Sequence, residues 1–259
     1  MILASWNVNS IKVRLPNVLK YLCDFEPDVL VLQETKVTDD VFPSNALQSA
    51  GYHSVYCGQK TYNGVAIVSK NKPSFYELNP VHLDPNEMRS IVIEYEKVTI
   101  LNVYVVNGKS IDSDKYQYKL NWLKSLYDYS LKILSNTNKF VILGDFNIAP
   151  TDNDVPDPKS CKDQILCSDN ERQSLKKLTD LGLLDLFNKF DFPEKTYTWW
   201  DYRAGCFHRN IGYRIDLILA TQAIADNCSD YVIDKDTRHK SWCPEEPRTS
   251  DHAPVRIII

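Results

Sequence analysis

The seven cysteines of this 259-residue chain include no Cys-x-x-Cys pair, and their odd number leaves no complete pairing pattern. That excludes the common zinc-site spacings and favours free thiols in a reducing cytosol. No apolar run approaches the roughly 20 residues that span a bilayer. A strand already starts at Ile2, so no leader peptide is expected. Pro/Gly/Ser-rich linkers, low-complexity stretches and short-period repeats are all missing, and residues 1–259 are expected to form a single domain. Excess positive charge is missing too. The net charge of −4 weighs weakly against a nucleic-acid partner, but a basic patch acts locally, over about 8 Å at physiological salt. Finally, no serine or cysteine nucleophile sits beside a base in an evident motif.

What the chain does have is a set of polar residues at the ends of apolar strands. Phe140-Val141-Ile142-Leu143 runs into Gly144-Asp145-Phe146-Asn147. An acid and an amide two residues apart on an extended segment face the same side. Ile2 to Trp6 ends in Asn7-Val8-Asn9-Ser10, and Asp28 to Leu32 runs into Gln33-Glu34-Thr35-Lys36. Ile100 to Val103 ends in Tyr104, with Asn107-Gly108 after it. Asp216 interrupts the apolar run Arg214 to Leu219, and Ser250-Asp251-His252-Ala253-Pro254 precedes the last strand, Val255 to Ile259. Taken singly, each has an ordinary reading. Asn7 caps a helix, Glu34 is a solvated strand end, Asp216 pairs with Arg214, Asp251-His252 is a turn, and Tyr104 is core. Jointly these readings are poor, because a carboxylate at a buried strand costs several kcal/mol unless paired or bound to a cation. Glu34, Asp145, Asp216, Asp251 and, less firmly, Asp201 therefore point to one shared polar site.

Further strands are expected at Gly64–Ser69, Ser90–Tyr95, Tyr197–Trp199 and Tyr231–Ile233. Helices are expected at Arg14–Cys23, with Pro16 in the first turn, at Lys115–Ser135 and at Asn170–Leu181. Two sheets packed face to face with helices outside would gather the strand-end residues along one rim. An oxygen-rich, sulfur-poor donor set suits magnesium, with manganese as a substitute, and so phosphoester hydrolysis by an activated water. Candidate cations around these motifs include Lys12, Arg14, Lys36, Arg89, Lys109, Lys115, Lys119, Arg203, Arg209, Arg238 and Arg248.

The series Asn7, Gln33-Glu34-Thr35-Lys36, Tyr104 with Asn107-Gly108, Gly144-Asp145-Phe146-Asn147, Trp200-Asp201-Tyr202-Arg203, Arg214-Ile215-Asp216 and Ser250-Asp251-His252-Ala253-Pro254 resembles the exonuclease III branch of the endonuclease/exonuclease/phosphatase superfamily. The resemblance spans essentially the whole chain. It implies a four-layer α/β sandwich and a repair nuclease acting on double-stranded DNA with abasic sites or 3′ blocks, as a cytoplasmic monomer associated with the nucleoid through DNA. It also implies Glu34 as the main metal ligand, with Asn7, Asp145, Asn147, Asp251 and His252 around the ion. Tyr104, Asp145, Asn147, Asp216 and His252 would carry the chemistry. Asp145 positions or deprotonates water, His252 contacts the phosphate, and Asp216 holds His252. Arg89, Lys115, Lys119, Trp200, Arg203 and Trp242 would touch DNA, with Trp199-Trp200 and Trp242 lining an abasic pocket. Val106 departs from the proline common after that tyrosine, and a second departure is the charge-rich stretch Asp234–Thr249, with Trp242-Cys243-Pro244 inside it. A phosphatase for small molecules or lipids, or a binding module without chemistry, are the competing readings. The cationic and aromatic rim disfavours the former, and the full set of catalytic residue types disfavours the latter.

Overall fold

Strands that are apolar on both sides must be covered on both faces, and the architecture meets that demand with four layers. The computed structural model describes residues 1–259. In chain order the first half runs β1 (Ile2–Asn7), α1 (Ile11–Phe25), β2 (Val29–Gln33), α2 (Ser44–Ser49), β3 (His53–Cys57), β4 (Val65–Ser69), β5 (Phe75–Leu78), β6 (Ser90–Tyr95) and β7 (Val98–Tyr104). The second half continues with α3 (Asp114–Leu134), β8 (Phe140–Asp145), α4 (Pro158–Cys161), α5 (Asp169–Asp180), β9 (Leu183–Asp185), β10 (Asp216–Thr221), α6 (Gln222–Ala225), β11 (Asp230–Ile233) and β12 (Val255–Ile258). Two six-stranded sheets result, ordered β11-β12-β1-β2-β4-β3 and β5-β6-β7-β8-β10-β9.

Alternate residues of each strand serve different layers. Leu3, Val29, Val31, Val65 and Ile67 of the first sheet meet Ile91, Ile93, Ile100, Val141, Leu143 and Ile218 of the second in one shared core. Their neighbours Ala4, Trp6, Leu30, Leu32, Ala66 and Val68 turn outward onto Val18, Tyr21 and Leu22 of α1 and Leu47 of α2. Leu101, Val103, Phe140, Ile142, Leu217 and Leu219 turn outward onto Trp122, Leu123 and Leu126 of α3 and Leu175 and Leu178 of α5. A one-residue slip would exchange these sets, so burial fixes the register. The layers are helix, sheet, sheet, helix, the α/β sandwich expected from the sequence. No helix is long and apolar enough to cross a membrane, and all seven cysteines are free thiols.

Helix α1 starts three residues earlier than expected. Arg14 breaks its regularity (φ −101°, ψ 16°), so the helix restarts there and Pro16 still falls in a first turn. Tyr197–Trp199 is not a strand: Trp199 makes only isolated bridges to Tyr213 and His252. The segment's hydrogen bonds are spent joining two loops rather than extending a sheet.

The topology explains why the polar residues meet. β1–β2 and β7–β8 are the parallel pairs. Asn7, Gln33, Tyr104 and Asp145 are the last residues of their strands. Antiparallel β10 begins at the same rim, with Asp216 opposite Asp145, and β12 begins three residues after His252. Carboxyl ends of parallel strands are where α/β sheets commonly bind ligands.

Candidate active site

Gly144 is required for this rim to close. A Cβ on it would lie 1.9 Å from the Val103 carbonyl oxygen, so only glycine lets β8 pass β7 at this point. Asp145 follows. Its Oδ1 accepts from the Asn147 amide (2.9 Å) and its Oδ2 from Asn7 Nδ2 (2.9 Å). The same Asn7 Nδ2 donates to Glu34 Oε1 at 2.8 Å. One amide group thus bridges two carboxylates that come from different sheets. Glu34 Oε2 pairs with Lys36 at 2.8 Å. Asn9, Glu34, Lys36 and Asn147 all adopt left-handed backbone (φ 45° to 55°) without being glycine. Such a conformation costs roughly 1–2 kcal/mol in a residue with a side chain, and clusters of it mark functional loops. Backbone bonds hold it: Ser10 N to Glu34 O (2.7 Å), Thr35 N to Gly64 O (3.0 Å) and Lys36 N to Asn63 O (3.0 Å).

His252 stands opposite. Its Nδ1 faces Asp216 at 2.9 and 3.1 Å, and its Nε2 lies 3.8 Å from Asp145 Oδ2. Two supports fix Asp216 and His252. Thr198 Oγ1 accepts from the Ile215 and Asp216 amides, both at 3.1 Å. Ser250 Oγ donates to the Asn7 carbonyl (2.6 Å) and accepts from the His252 amide (3.2 Å). Asp251 receives Asn9 Nδ2 at 3.0 Å and Trp199 Nε1 at 2.9 Å. Tyr104 lies beside Asp145 in the β7–β8 register, with the Arg89 guanidinium 5.0 Å from its ring centre.

The electrostatics follow from this crowding. Burial alone would keep His252 neutral, but Asp216, then Asp145 and Asp251, outweigh it and push the imidazole to about 10. Burial drives Asp145 well above the usual carboxylate range. Asp216 and Glu34 add to that rise, while His252 opposes it. Burial would raise Asp251, but His252 and the Trp199 indole hold it below its ordinary value. Burial, then the Glu34 and Asp145 charges, keep the Tyr104 phenol protonated.

Glu34, Asp145 and His252 each offer a ligand atom, all within 4.8 Å of one another. An imidazolium has no lone pair to give, so the donor set open to an ion at neutral pH is the Glu34 and Asp145 carboxylates. These hard oxygen donors fit a small divalent cation. Asn147 spends its side chain on Val105 O (2.9 Å) and on accepting from Asn107 (3.1 Å), so it supports Asp145.

Several expected DNA contacts lie elsewhere. Lys119 is fully buried against Glu171 and reaches no surface. Trp200 is fully buried, donating to Asn210 Oδ1 at 3.2 Å. Trp242 packs edge-on against Trp6 and under Lys20 of α1. Asp201 does not join the acids of the site: it pairs with exposed Arg203. Arg214 does not hold Asp216 but binds Asp154 (2.5 Å) and Asp185 (2.8 Å). Lys115 is exposed and Arg89 is tied to Glu87 at 2.7 Å. Sequence reasoning missed Thr198, Asn9 and Ser250. Asn9, two residues after Asn7, and Ser250, which opens the Ser250-Asp251-His252 motif, had a signal; Thr198 had none.

A profile of the endonuclease/exonuclease/phosphatase family matches residues 4–252. The chain belongs to that family. The Haemophilus influenzae exodeoxyribonuclease III is 34% identical over 265 residues, covering 97% of each chain. A Neisseria 3′ phosphatase, NExo, solved with a product DNA hairpin, superposes with a TM-score of 0.94 at 44% identity, covering 100% of this chain and 99% of that one. An AP endonuclease from Archaeoglobus fulgidus superposes at 0.92 with 37% identity, again over 100% and 99% of the two chains. As a member of this family, the chain is a phosphodiester hydrolase by its relatives and its donor set alike.

Proposed function

We propose that the protein is a magnesium-dependent DNA repair nuclease. It hydrolyses the phosphodiester 5′ to abasic sites in duplex DNA and removes 3′-terminal blocks or nucleotides. The observation that carries this reading is the pairing, within one cleft, of a histidine held as a cation with two carboxylates bridged by Asn7. Magnesium held by the Glu34 and Asp145 carboxylates would supply charge neutralisation of phosphate oxygens. Asp145 orients the attacking water and takes its proton. A carboxylate raised by burial is a better base than an exposed one at neutral pH. His252, charged through Asp216, donates from Nε2 to a nonbridging phosphate oxygen and gains strength as charge develops there. Tyr104, kept protonated, donates to an oxygen of the scissile phosphate. Asn147 keeps Asp145 in place. Exposed Lys115 and Arg203, with Arg89 beside Tyr104, would contact the DNA backbone.

A second emphasis, towards 3′ ends rather than abasic sites, is favoured by the higher identity to the Neisseria 3′ phosphatase than to the Archaeoglobus AP endonuclease. Two duplexes separate the emphases, one with a single internal tetrahydrofuran site and one with a 3′-phosphate at a nick, each with magnesium and with EDTA. Cleavage or phosphate release only with magnesium is expected. Both duplexes intact in magnesium would end the nuclease reading. Product yield should also fall steeply with added salt, because several phosphate contacts release counterions.

A further inference from the structure

Lys119 and Glu171 form a buried charged pair that belongs neither to the rim nor to the surface. Lys119, on α3, and Glu171, on α5, are both fully buried and in direct contact. Glu171 is saturated. Its Oε2 accepts from the Ser168 amide (3.0 Å) and hydroxyl (2.7 Å), and its Oε1 from the Leu166 amide (3.1 Å) as well as Lys119. The lysine uses its other two protons on main-chain carbonyls, Asn147 O at 2.6 Å and Asn107 O at 3.2 Å. Asn147 is the left-handed residue whose amide holds Asp145, and Asn107 lies in the loop that leaves Tyr104. The same two loops meet through Asn107 Nδ2 and Asn147 Oδ1 at 3.1 Å. Gly108 closes against the lysine stem: a Cβ there would fall 3.1 Å from Lys119 Cδ and 2.8 Å from Ile165 Cδ1.

We infer that Lys119 is a positioning residue, a cationic clamp that sets the Asn107 loop and the Asn147 turn, and through them the Asp145 carboxylate, for hydrolysis. A buried ion pair is poor evidence of stabilisation, since apolar replacements of similar volume are often neutral or better. What an apolar pair does not supply is donation to two carbonyls of two different loops. Without that donor the Asn147 turn loses the one charged bond to its main-chain carbonyl among those that oppose its left-handed strain. The inference rests on the proposed nuclease reading for its kinetic consequence, but not for its structural one.

The test pairs Lys119→Met with Glu171→Gln, so that the volume is kept and glutamine still caps α5 through Ser168. Glu171→Gln alone, which keeps the lysine donor, is the comparator. Melting temperature reports the fold, hydrogen exchange by mass spectrometry reports residues 105–109 and 145–149, and steady-state nicking of the tetrahydrofuran duplex reports function. In the double variant, exchange in both segments should rise and kcat should fall about a hundredfold with KM almost unchanged, as a misplacement near 1 Å commonly does. The single variant, whose lysine keeps both carbonyl bonds but loses its counter-ion, should melt lower. Under conditions where both variants are folded, it should still protect both segments better than the double variant and keep a rate within about threefold of wild type, a difference under 1 kcal/mol. Unchanged protection in the double variant overturns the clamp, as does an equal kinetic loss in both variants. If the double variant does not fold, Lys119→Gln beside Glu171→Gln, which restores one amide donor, replaces it and should recover protection of one of the two segments; protection of neither overturns the clamp. A wild-type protein that leaves the duplex intact fails the nuclease reading instead, while the exchange result still decides the clamp.

Discussion

Two charge clusters, one around Arg214 and one around Asp145, are built to opposite ends. Around Arg214, one guanidinium bonds Asp154 at 2.5 and 3.3 Å and Asp185 at 2.8 Å, and stacks 4.2 Å from the Phe187 ring centre. Every charge there has a partner. Around Asp145, the four carboxylates of Glu34, Asp145, Asp216 and Asp251 form salt bridges with only two side chains, Lys36 on Glu34 and His252 on Asp216 and Asp145. The surplus is left where an ion fits, and it raises both Asp145 and His252. Saturated pairing makes a brace for the segment between β8 and α5, since Asp154 sits within it. Unsaturated pairing makes a reactive cleft.

Substitutions in the two clusters should therefore fail in different ways. The largest effect is expected from Asp145→Asn and His252→Ala, each lowering kcat about 10²–10⁴-fold, the usual share of general acid–base groups. Asp145→Asn should keep a melting temperature near wild type, whereas His252→Ala, which leaves Asp216 buried without its partner, should also melt lower. Arg214→Met should do the reverse. Stability should drop by about 3–5 kcal/mol, because two carboxylates are left buried and unpaired, while protein still folded in the cold keeps cleaving. Equal kinetic loss from Arg214→Met would erase the distinction.

The next effect is on titration. In metal-free protein, His252 should titrate near 10 by NMR, and Asp216→Asn should bring it down toward 6.5, because burial is then less opposed. The sign for stability follows. A histidine raised from 6.5 stabilises the fold fully below 6.5, and that contribution fades as pH climbs through about 10. The smallest effect is on melting. Magnesium at about a hundredfold excess over its Kd should add roughly 2.7 kcal/mol. Glu34→Gln should lose most of that increment, whereas Asp185→Asn should keep it. A Glu34→Gln protein that responds to magnesium like wild type would break the comparison.

Much of this was legible in the sequence for a physical reason. Strand ends are fixed by apolar runs, and polar residues interrupting those runs had to gather where the strands stop. Asn7, Glu34, Tyr104, Asp145, Asp216 and His252 were found that way, and the structure brings them to one rim. Surface contacts were not legible. A lysine and a tryptophan have the same letter whether buried or exposed, so Lys119 and Trp200 read as rim residues although both are fully buried. Strands β3, β5 and β9 were also missed. They are edge strands, and β5 is exposed along its whole length, so burial imposes no pattern on its sequence. Supports such as Thr198 act through backbone amides far away in the chain, which no local motif records.

The central claim is that the unsaturated cluster exists to hold a divalent ion between Glu34 and Asp145. Crystals soaked in manganese and measured for anomalous scattering test it most directly. The account expects one strong peak within bonding distance of a Glu34 carboxylate oxygen, with none at Asp154 or Asp185. A cleft with no peak at manganese concentrations that support cleavage, or a peak only at the Arg214 cluster, would contradict it.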